Sequence, residues 1–219
     1  ESALLLVHAV SGVEVQTEKT WGFCEKLNLP RAFVINQMDR DRAGFARTLE
    51  ALQKAFGRTA IPVQLPIGQE KTFRGVVDLV RMKAYTYEAG GSGKAKEGEI
   101  PADLAEAATQ AHEALVEMVA EGNDALMEEF FEKGTIPVED LIPGLREAIA
   151  ARRIYPVLAA SGLQNVGSES LLSFIADYLP SPAERGEVEA LDSEGGNPVK
   201  RKVADDQPAV LDALKMLLR

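Results

Sequence analysis

The sequence predicts an α/β fold in which a parallel sheet is interrupted by an α+β insertion. Three apolar runs predict the sheet: ALLLVHAV (3–10), RAFVINQM (31–38) and IYPVLAAS (154–161). The first two are nearly continuous hydrophobics, which is typical of strands buried on both faces of a parallel sheet. A stretch of helical character follows each run, and alternation of strand and helix predicts parallel connections. The long interval between the second and third runs predicts the insertion.

Two helices are predicted beside the first two strands. In the stretch QTEKTWGFCEKLNLP, apolar residues recur at a three-residue spacing: Trp21, Cys24 and Leu27. A second helix is predicted to begin near Asp41, with Asp39 or Asp41 as its N-cap and Gly57 as its end. Its apolar face is formed by residues at helical spacing: Phe45, Leu49, Leu52 and Phe56. Cys24 lies among apolar residues and is predicted to be buried and unreactive.

A third helix is predicted from Ser168, after the third strand, in the segment SESLLSFIADYLPSP. Prolines at its end cannot continue a helix and are expected to terminate it. The residues expected to face inward are apolar ones: Leu171, Leu172, Ile175 and Leu179.

The insertion is predicted to contain short antiparallel strands followed by helices. Residues 61–88 are rich in Val, Tyr and Thr, which favours strands or a hairpin. GGSGKAKEGE (90–99) is predicted to be a flexible tip, and residues 101–133 and 138–153 are predicted to be helical.

Four segments follow from these predictions. Residues 1–63 form the first segment of the α/β core, and residues 64–150 form the inserted α+β subdomain. Residues 151–185 return to the core, and residues 186–219 are a polar, turn-rich linker leading to a following domain.

Composition excludes several classes of function. The net charge of −10 argues against direct nucleic-acid binding, because phosphate contacts need a basic patch. One cysteine and two histidines give neither a disulfide framework nor a cluster of metal ligands, and a lone cysteine fits a reducing cytoplasm. No run approaches the roughly 18 apolar residues of a membrane span, so no membrane partner is expected.

The tetrad Asn36-Gln37-Met38-Asp39 ends the second apolar run. Open α/β sheets bind ligands at the carboxyl ends of their strands, and a fixed carboxylate there accepts two hydrogen bonds from an N–H/NH₂ edge such as that of guanine. Adenine offers no such pair of donors and leaves the carboxylate unpaired. The alternative is a strand end followed by a helix cap, and the tetrad alone favours that simpler interpretation.

Longer segments carry a resemblance to a known family. VHAVSGVEVQTEKTWGFCEKLNLPRAFVINQMD resembles the guanine-binding half of translational GTPases, whose strands end in Asp-Ala and Asn-Lys-x-Asp. IPVQLPIGQEKTFRGVVDLVRMKAYTY resembles the start of the inserted subdomain of bacterial elongation factor G. IYPVLAASGLQNVGSESLLSFIADYLPSP resembles the segment that returns to the P-loop GTPase core. The resemblance covers roughly residues 3–185 and identifies the chain as the second half of such a GTPase domain with its insertion.

The resemblance implies a set of guanine contacts: Asn36, Gln37, Asp39, Ser161, Gly162 and Leu163. It implies GTP or GDP as the ligand, with Mg²⁺ held only in an intact parent protein. It also implies action in translocation on the ribosome in the cytoplasm, with the inserted subdomain, through residues 101–150, contacting the ribosomal stalk protein. The alternative for that helical region is a solvated surface without a partner.

Three residues depart from the family pattern. Gln37 stands where the family has a lysine, so the cation beside the base is lost. Gly162 replaces an alanine, which a backbone contact tolerates, and His8 replaces an aspartate and is expected to be a satisfied strand-end residue. These departures indicate a divergent paralogue.

A phosphate-binding loop is the feature that the resemblance leads us to expect and the sequence does not supply. The segment GGSGKA (90–95) has Glu88 where the loop requires its first glycine and Ala95 where it requires a hydroxyl. It is therefore predicted to be a flexible loop, and the 219-residue chain is expected to bind guanine weakly and not to hydrolyse GTP.

Three alternative functions stay open. One is a translational GTPase of the ribosomal-protection or release-factor type, and a second is a non-enzymatic module that contacts the ribosome. The third, an unrelated α/β enzyme, lacks a nucleophile–base pair in the sequence. After Pro208, AVLDALKMLLR has a helical apolar stripe where the family continues with a strand, and the sequence does not decide between the two.

Overall fold

The computed structural model describes residues 1–185, 187–191 and 198–204, which fall into two compact units. The first unit spans Ser2–Leu179, and the second begins at Pro180. Within the described residues, no helix combines the length and apolarity that crossing a membrane requires.

A parallel sheet forms one layer of the first unit. Its strand order is β1-β2-β8-β3, and every neighbouring pair is parallel. The strands are β1 (Ala3–His8), β2 (Arg31–Asn36), β3 (Ala60–Pro62) and β8 (Tyr155–Ala159). In β2 every residue before Asn36 is buried, because this strand has a neighbour on each side and helices cover the sheet. The predicted α/β fold is confirmed.

Two helices connect the first strands, and their bounds are α1 (Val15–Lys26) and α2 (Phe45–Phe56). Helix α2 follows Gly44 and ends at Gly57, so the predicted end is confirmed. The predicted aspartate cap is wrong. Asp39 instead accepts a hydrogen bond from Ser161, and the exposed Asp41 pairs with Lys71.

Helix α6 (Ser168–Tyr178) follows β8, as predicted. Its inward residues are Leu171, Phe174, Ile175 and Tyr178. The inward position predicted for Leu172 is wrong, since 66% of its surface is exposed. Residues at i, i+3, i+4 and i+7 share one helix face, and Leu172 lies about 100° away from Leu171 around the axis.

The inserted strands form an antiparallel sheet of order β4-β5-β6-β7. The strands are β4 (Gln64–Ile67), β5 (Gly75–Asp78), β6 (Lys83–Thr86) and β7 (Lys96–Gly98). The predicted antiparallel strands are thus confirmed. The predicted flexible tip at 90–99 is wrong in part, because β7 pairs with β6 and the residues before it are hydrogen-bonded to the core.

Three helices complete the insertion: α3 (Ala105–Ala120), α4 (Asp124–Lys133) and α5 (Val138–Ala150). The predicted helical region divides at Asn123, whose side chain accepts hydrogen bonds from the first amides of α4. Leu115, Leu141 and Leu145 are fully buried between the helices and the antiparallel sheet.

Tyr178 connects α6 to the loop after β5 by a hydrogen bond, and we expect it to make the stability of the fold sensitive to alkaline pH. Burial raises the pKa of its hydroxyl, which accepts a hydrogen bond from Arg81 at 3.2 Å. The pKa of this hydroxyl is higher in the folded chain than in the unfolded chain, where it is about 10. Its contribution to stability is therefore fully present below pH ~10 and is lost as the pH rises through the folded pKa. The free energy of unfolding is expected to fall above pH ~10, by up to about 1.4 kcal/mol per pH unit for this group.

Urea unfolding of wild type and Tyr178→Phe between pH 8 and 11 measures this contribution. The variant is expected to be less stable at pH 8, because Arg81 loses an acceptor. Its stability should nevertheless fall less steeply with pH. Equal slopes for the two proteins would contradict the assignment.

The second unit contains an antiparallel pair, β9 (Glu187–Leu191) and β10 (Pro198–Lys202). The predicted linker and following domain (186–219) therefore include two strands. The apolar stripe predicted in AVLDALKMLLR lies outside the described residues.

Candidate functional site

Polar side chains gather at the carboxyl ends of β2 and β8. The two strands are parallel neighbours, with Ile35 opposite Ala159, so the loops that follow them begin side by side. Met38 is fully buried and its N–H donates to the carbonyl of Ala160 at 3.2 Å, which joins the loops through their backbones.

Asn36 holds the two loops together with its side chain. Its Oδ1 accepts hydrogen bonds from the N–H of Gln37 at 2.8 Å and of Gly162 at 3.0 Å. Its Nδ2 donates no hydrogen bond within the described part of the chain. The amide is therefore oriented by the protein, with donors that a ligand can use.

Asp39 is linked to the loop after β8. The hydroxyl of Ser161 donates to Asp39 Oδ1 at 2.5 Å and accepts the N–H of Gln164 at 3.2 Å. Ser161 is fully buried, whereas Asp39 is half-buried. Asp39 Oδ2 accepts no hydrogen bond from any residue that the structure describes. One carboxylate oxygen is thus held by Ser161, while the other is left for a donor.

The loop of residues 161–166, here called the base loop, is closed by a short antiparallel bridge. Ser161 and Val166 exchange backbone hydrogen bonds of 2.9 and 3.1 Å. Gly162 is exposed, and an added Cβ would lie 3.8 Å from Asn36 Oδ1, an ordinary contact. Leu163 is 69% exposed at the tip of the loop.

Gln37 and His8 are the departures from the family pattern. Gln37 has a left-handed backbone (φ 63°), and its half-buried side chain makes no hydrogen bond with the described residues. His8 accepts the N–H of Val10 on Nδ1 at 3.0 Å, which confirms a satisfied strand-end residue.

Five of the six predicted site residues are joined by direct hydrogen bonds, Asn36 with Gln37 and Gly162, and Asp39 with Ser161. Leu163 follows Gly162 in sequence. Gln164 and Asn165, which the sequence did not indicate, form hydrogen bonds with Gly90 and Gly91 of the insertion. Across the described residues, no three acidic, histidine or cysteine side chains are grouped to hold a metal ion.

Comparisons with known proteins agree with this architecture. The profile of the elongation factor Tu GTP binding domain matches residues 1–181. The crystal structure of ttk003000868 from Thermus thermophilus is similar at 32% sequence identity, with a TM-score of 0.76. The match covers 85% of this chain and 28% of that one, so the chain spans little more than a quarter of its length. Because the profile covers well over half of the chain, this protein belongs to the family of the elongation factor Tu GTP-binding domain, the family of translational GTPases.

Proposed function

We propose that this chain is the guanine-nucleotide-binding portion of a translational GTPase of the elongation factor G type, which acts in ribosomal translocation in the cytoplasm. The single observation that carries the proposal is the Oδ2 of Asp39, which accepts no hydrogen bond from the described residues, on a carboxylate whose other oxygen is held by Ser161. A carboxylate fixed in this way accepts the N1–H and N2–H of guanine together.

The remaining predicted residues complete a site for the base. Asn36 offers its Nδ2 to a ring nitrogen, while the N–H of Leu163, next to Gly162 on the exposed loop, can meet the O6 oxygen. Leu163 and the stem of Gln37 supply apolar contact for the two faces of the ring. GTP and GDP share this base, so both are proposed ligands, and Mg²⁺ is assigned to the intact parent protein only.

A titration with GDP and ADP, followed by NMR, tests the proposal. GDP is expected to bind with a Kd on the order of 1 mM, which corresponds to about 4 kcal/mol. ADP is expected to bind at least about tenfold more weakly, because it leaves the Asp39 carboxylate unpaired. Equal shifts of the base-loop amides with both nucleotides would refute guanine recognition.

Gln37→Lys is expected to tighten GDP binding about three- to tenfold, because the longer stem covers the ring and places a cation over its face. Gln37→Met is the matched control, since it keeps an unbranched stem without the charge. Equal affinities for the two variants would show that the lost cation has no part in the weak binding.

We also propose the segment boundaries 1–63, 64–150, 151–185 and 186–219 for the core, the insertion, the return to the core and the following domain. The change of sheet between β3 and β4 supports the first boundary, and the end of α5 at Ala150 supports the second. Limited proteolysis tests the later boundaries: cleavage is expected at 150/151 and 185/186 before any within the sheets, whereas the 63/64 boundary, at the buried Val63 and Gln64, should be protected.

The proposed partner is the ribosome, with the stalk protein at the inserted helices. Phe131 on α4 is 78% exposed, which suits an apolar contact. Residues 101–150 contain twelve acidic and two basic residues, so the patch of the partner that lies there must be basic or uncharged. Phe131→Asp is expected to abolish co-sedimentation with ribosomes, whereas Phe23→Asp on α1 should not. Equal co-sedimentation of both variants would exclude this contact.

A further inference from the structure

The glycine-rich segment between β6 and β7, residues 87–95, is hydrogen-bonded to the base loop. The N–H of Gly90 donates to the carbonyl of Gln164 at 2.7 Å. The side chain of Asn165 donates through Nδ2 to the carbonyl of Gly91 at 3.2 Å. Both contacts are made to the base loop, which begins at Ser161.

The fit at Gly93 is specific to glycine. An added Cβ would lie 2.6 Å from Nδ2 and 2.8 Å from both Cγ and Oδ1 of Asn165. The backbone of Gly93 is also left-handed, at φ 77°, a region that side chains disfavour. The side chain of Asn165 therefore lies directly against a position where the sequence supplies no side chain.

The two ends of the segment are hydrogen-bonded to helix α6. The hydroxyl of Tyr87 lies 2.6 Å from that of Ser170 and accepts its N–H at 3.2 Å. The N–H of Ala95 donates to the carboxylate of Glu169. The segment is thus held at both ends, so its middle is not a free tip.

The base loop has few other supports. They are the Ser161–Val166 bridge, the bond from the Gly162 N–H to Asn36, and the bonds that the Ser161 hydroxyl donates to Asp39 and accepts from Gln164. Gly162 and Leu163 are exposed, and Asn165 is left-handed at φ 54°. The part of the loop at Gln164 and Asn165 therefore relies on the glycine-rich segment for its conformation.

We propose that the glycine-rich segment positions the base loop, with Asn165 as the positioning residue, so that the inserted sheet and the base site are energetically coupled. The proposal deepens the proposed function and rests on it only in that guanine is the ligand of the loop. Coupling of this kind is reciprocal: whatever loosens the segment weakens base binding, and base binding stiffens the segment.

Hydrogen exchange of the full 219-residue chain tests the link without a ligand. Gly93→Ala is expected to raise amide exchange in residues 161–166 about fivefold or more, because the displaced Asn165 releases the loop. Gly98→Ala is the matched control, since nothing lies within 4 Å of an added Cβ on that β7 residue. Its exchange in residues 161–166 should equal that of wild type.

GDP titration of the same proteins gives the second readout. Gly93→Ala and Asn165→Gly are each expected to raise the Kd for GDP about five- to tenfold, and the double variant should be no worse than Asn165→Gly alone. Saturating GDP should slow exchange of the Gly90 amide in wild type. A purely structural contact would lower the free energy of unfolding without this response to nucleotide.

The outcomes separate the two proposals. Unchanged exchange in residues 161–166 of Gly93→Ala would overturn the coupling, whether or not GDP binds. If wild type does not bind GDP but the base loop is released in Gly93→Ala, the guanine assignment fails and the positioning link stands. Additive effects of Gly93→Ala and Asn165→Gly on the GDP Kd would also count against the link.

Discussion

Asp39→Asn is expected to exchange a preference for guanine for a preference for xanthine. An amide NH₂ group replaces the Oδ2 of Asp39 and donates, so it opposes the N2–H of guanine and pairs with the O2 of xanthine. The loss for GDP is expected to be about 3 kcal/mol, or roughly a hundredfold, because a charge-assisted hydrogen bond is replaced by two facing donors. Xanthosine diphosphate should bind the variant with a Kd on the order of 1 mM.

The fold is expected to tolerate this change. The amide oxygen can still accept the hydroxyl of Ser161, so the free energy of unfolding should change by about 1 kcal/mol or less. Asp41→Asn is the matched control: its side chain is exposed and, among the residues that the structure describes, pairs only with Lys71, so nucleotide preference should not change. Calorimetry of both variants with the two diphosphates measures the exchange. A variant that keeps the wild-type affinity for GDP would remove Asp39 from the site.

The core of the fold could be predicted because its signals are local. Continuous apolar runs favour buried strands, and β1, β2 and β8 lie within those runs, although Leu6 of the edge strand β1 is 65% exposed. The cap of α2 could not be predicted, because Asp39 has a partner 122 residues away in Ser161. A long-range hydrogen bond of that kind overrides the local preference of aspartate for a helix N-terminus.

The candidate site was predicted in part for the same reason. Asn36 and Asp39 end an obvious strand, and strand ends at one edge of a parallel sheet lie close together. Glycine permits both mobility and close packing, so the sequence predicts a flexible tip where the structure has a packed segment. Only the structure shows Asn165 against Gly93, and the sequence alone offered no signal that distinguishes the two roles.

Gly75→Ala is expected to lower the free energy of unfolding by about 3–5 kcal/mol. Gly75 is a buried residue of β5, paired with Ile67 on one side and Thr86 on the other. An added Cβ would lie 2.2 Å from the carbonyl oxygen of Tyr85 and 3.0 Å from the Cα of Thr86. Both atoms belong to the backbone of β6, so no side-chain rotation can relieve the overlap.

Relief requires β5 and β6 to separate, which breaks ladder hydrogen bonds and opens the core around the fully buried Val76 and Val77. Urea unfolding followed by circular dichroism and by the fluorescence of Trp21, the only tryptophan, measures the loss. Gly98→Ala on β7, where an added Cβ meets nothing, should stay within about 0.5 kcal/mol of wild type. If Gly75→Ala unfolded at the same urea concentration as that control, the close pairing of β5 with β6 would be wrong, because an alanine fits there only when the strands lie further apart.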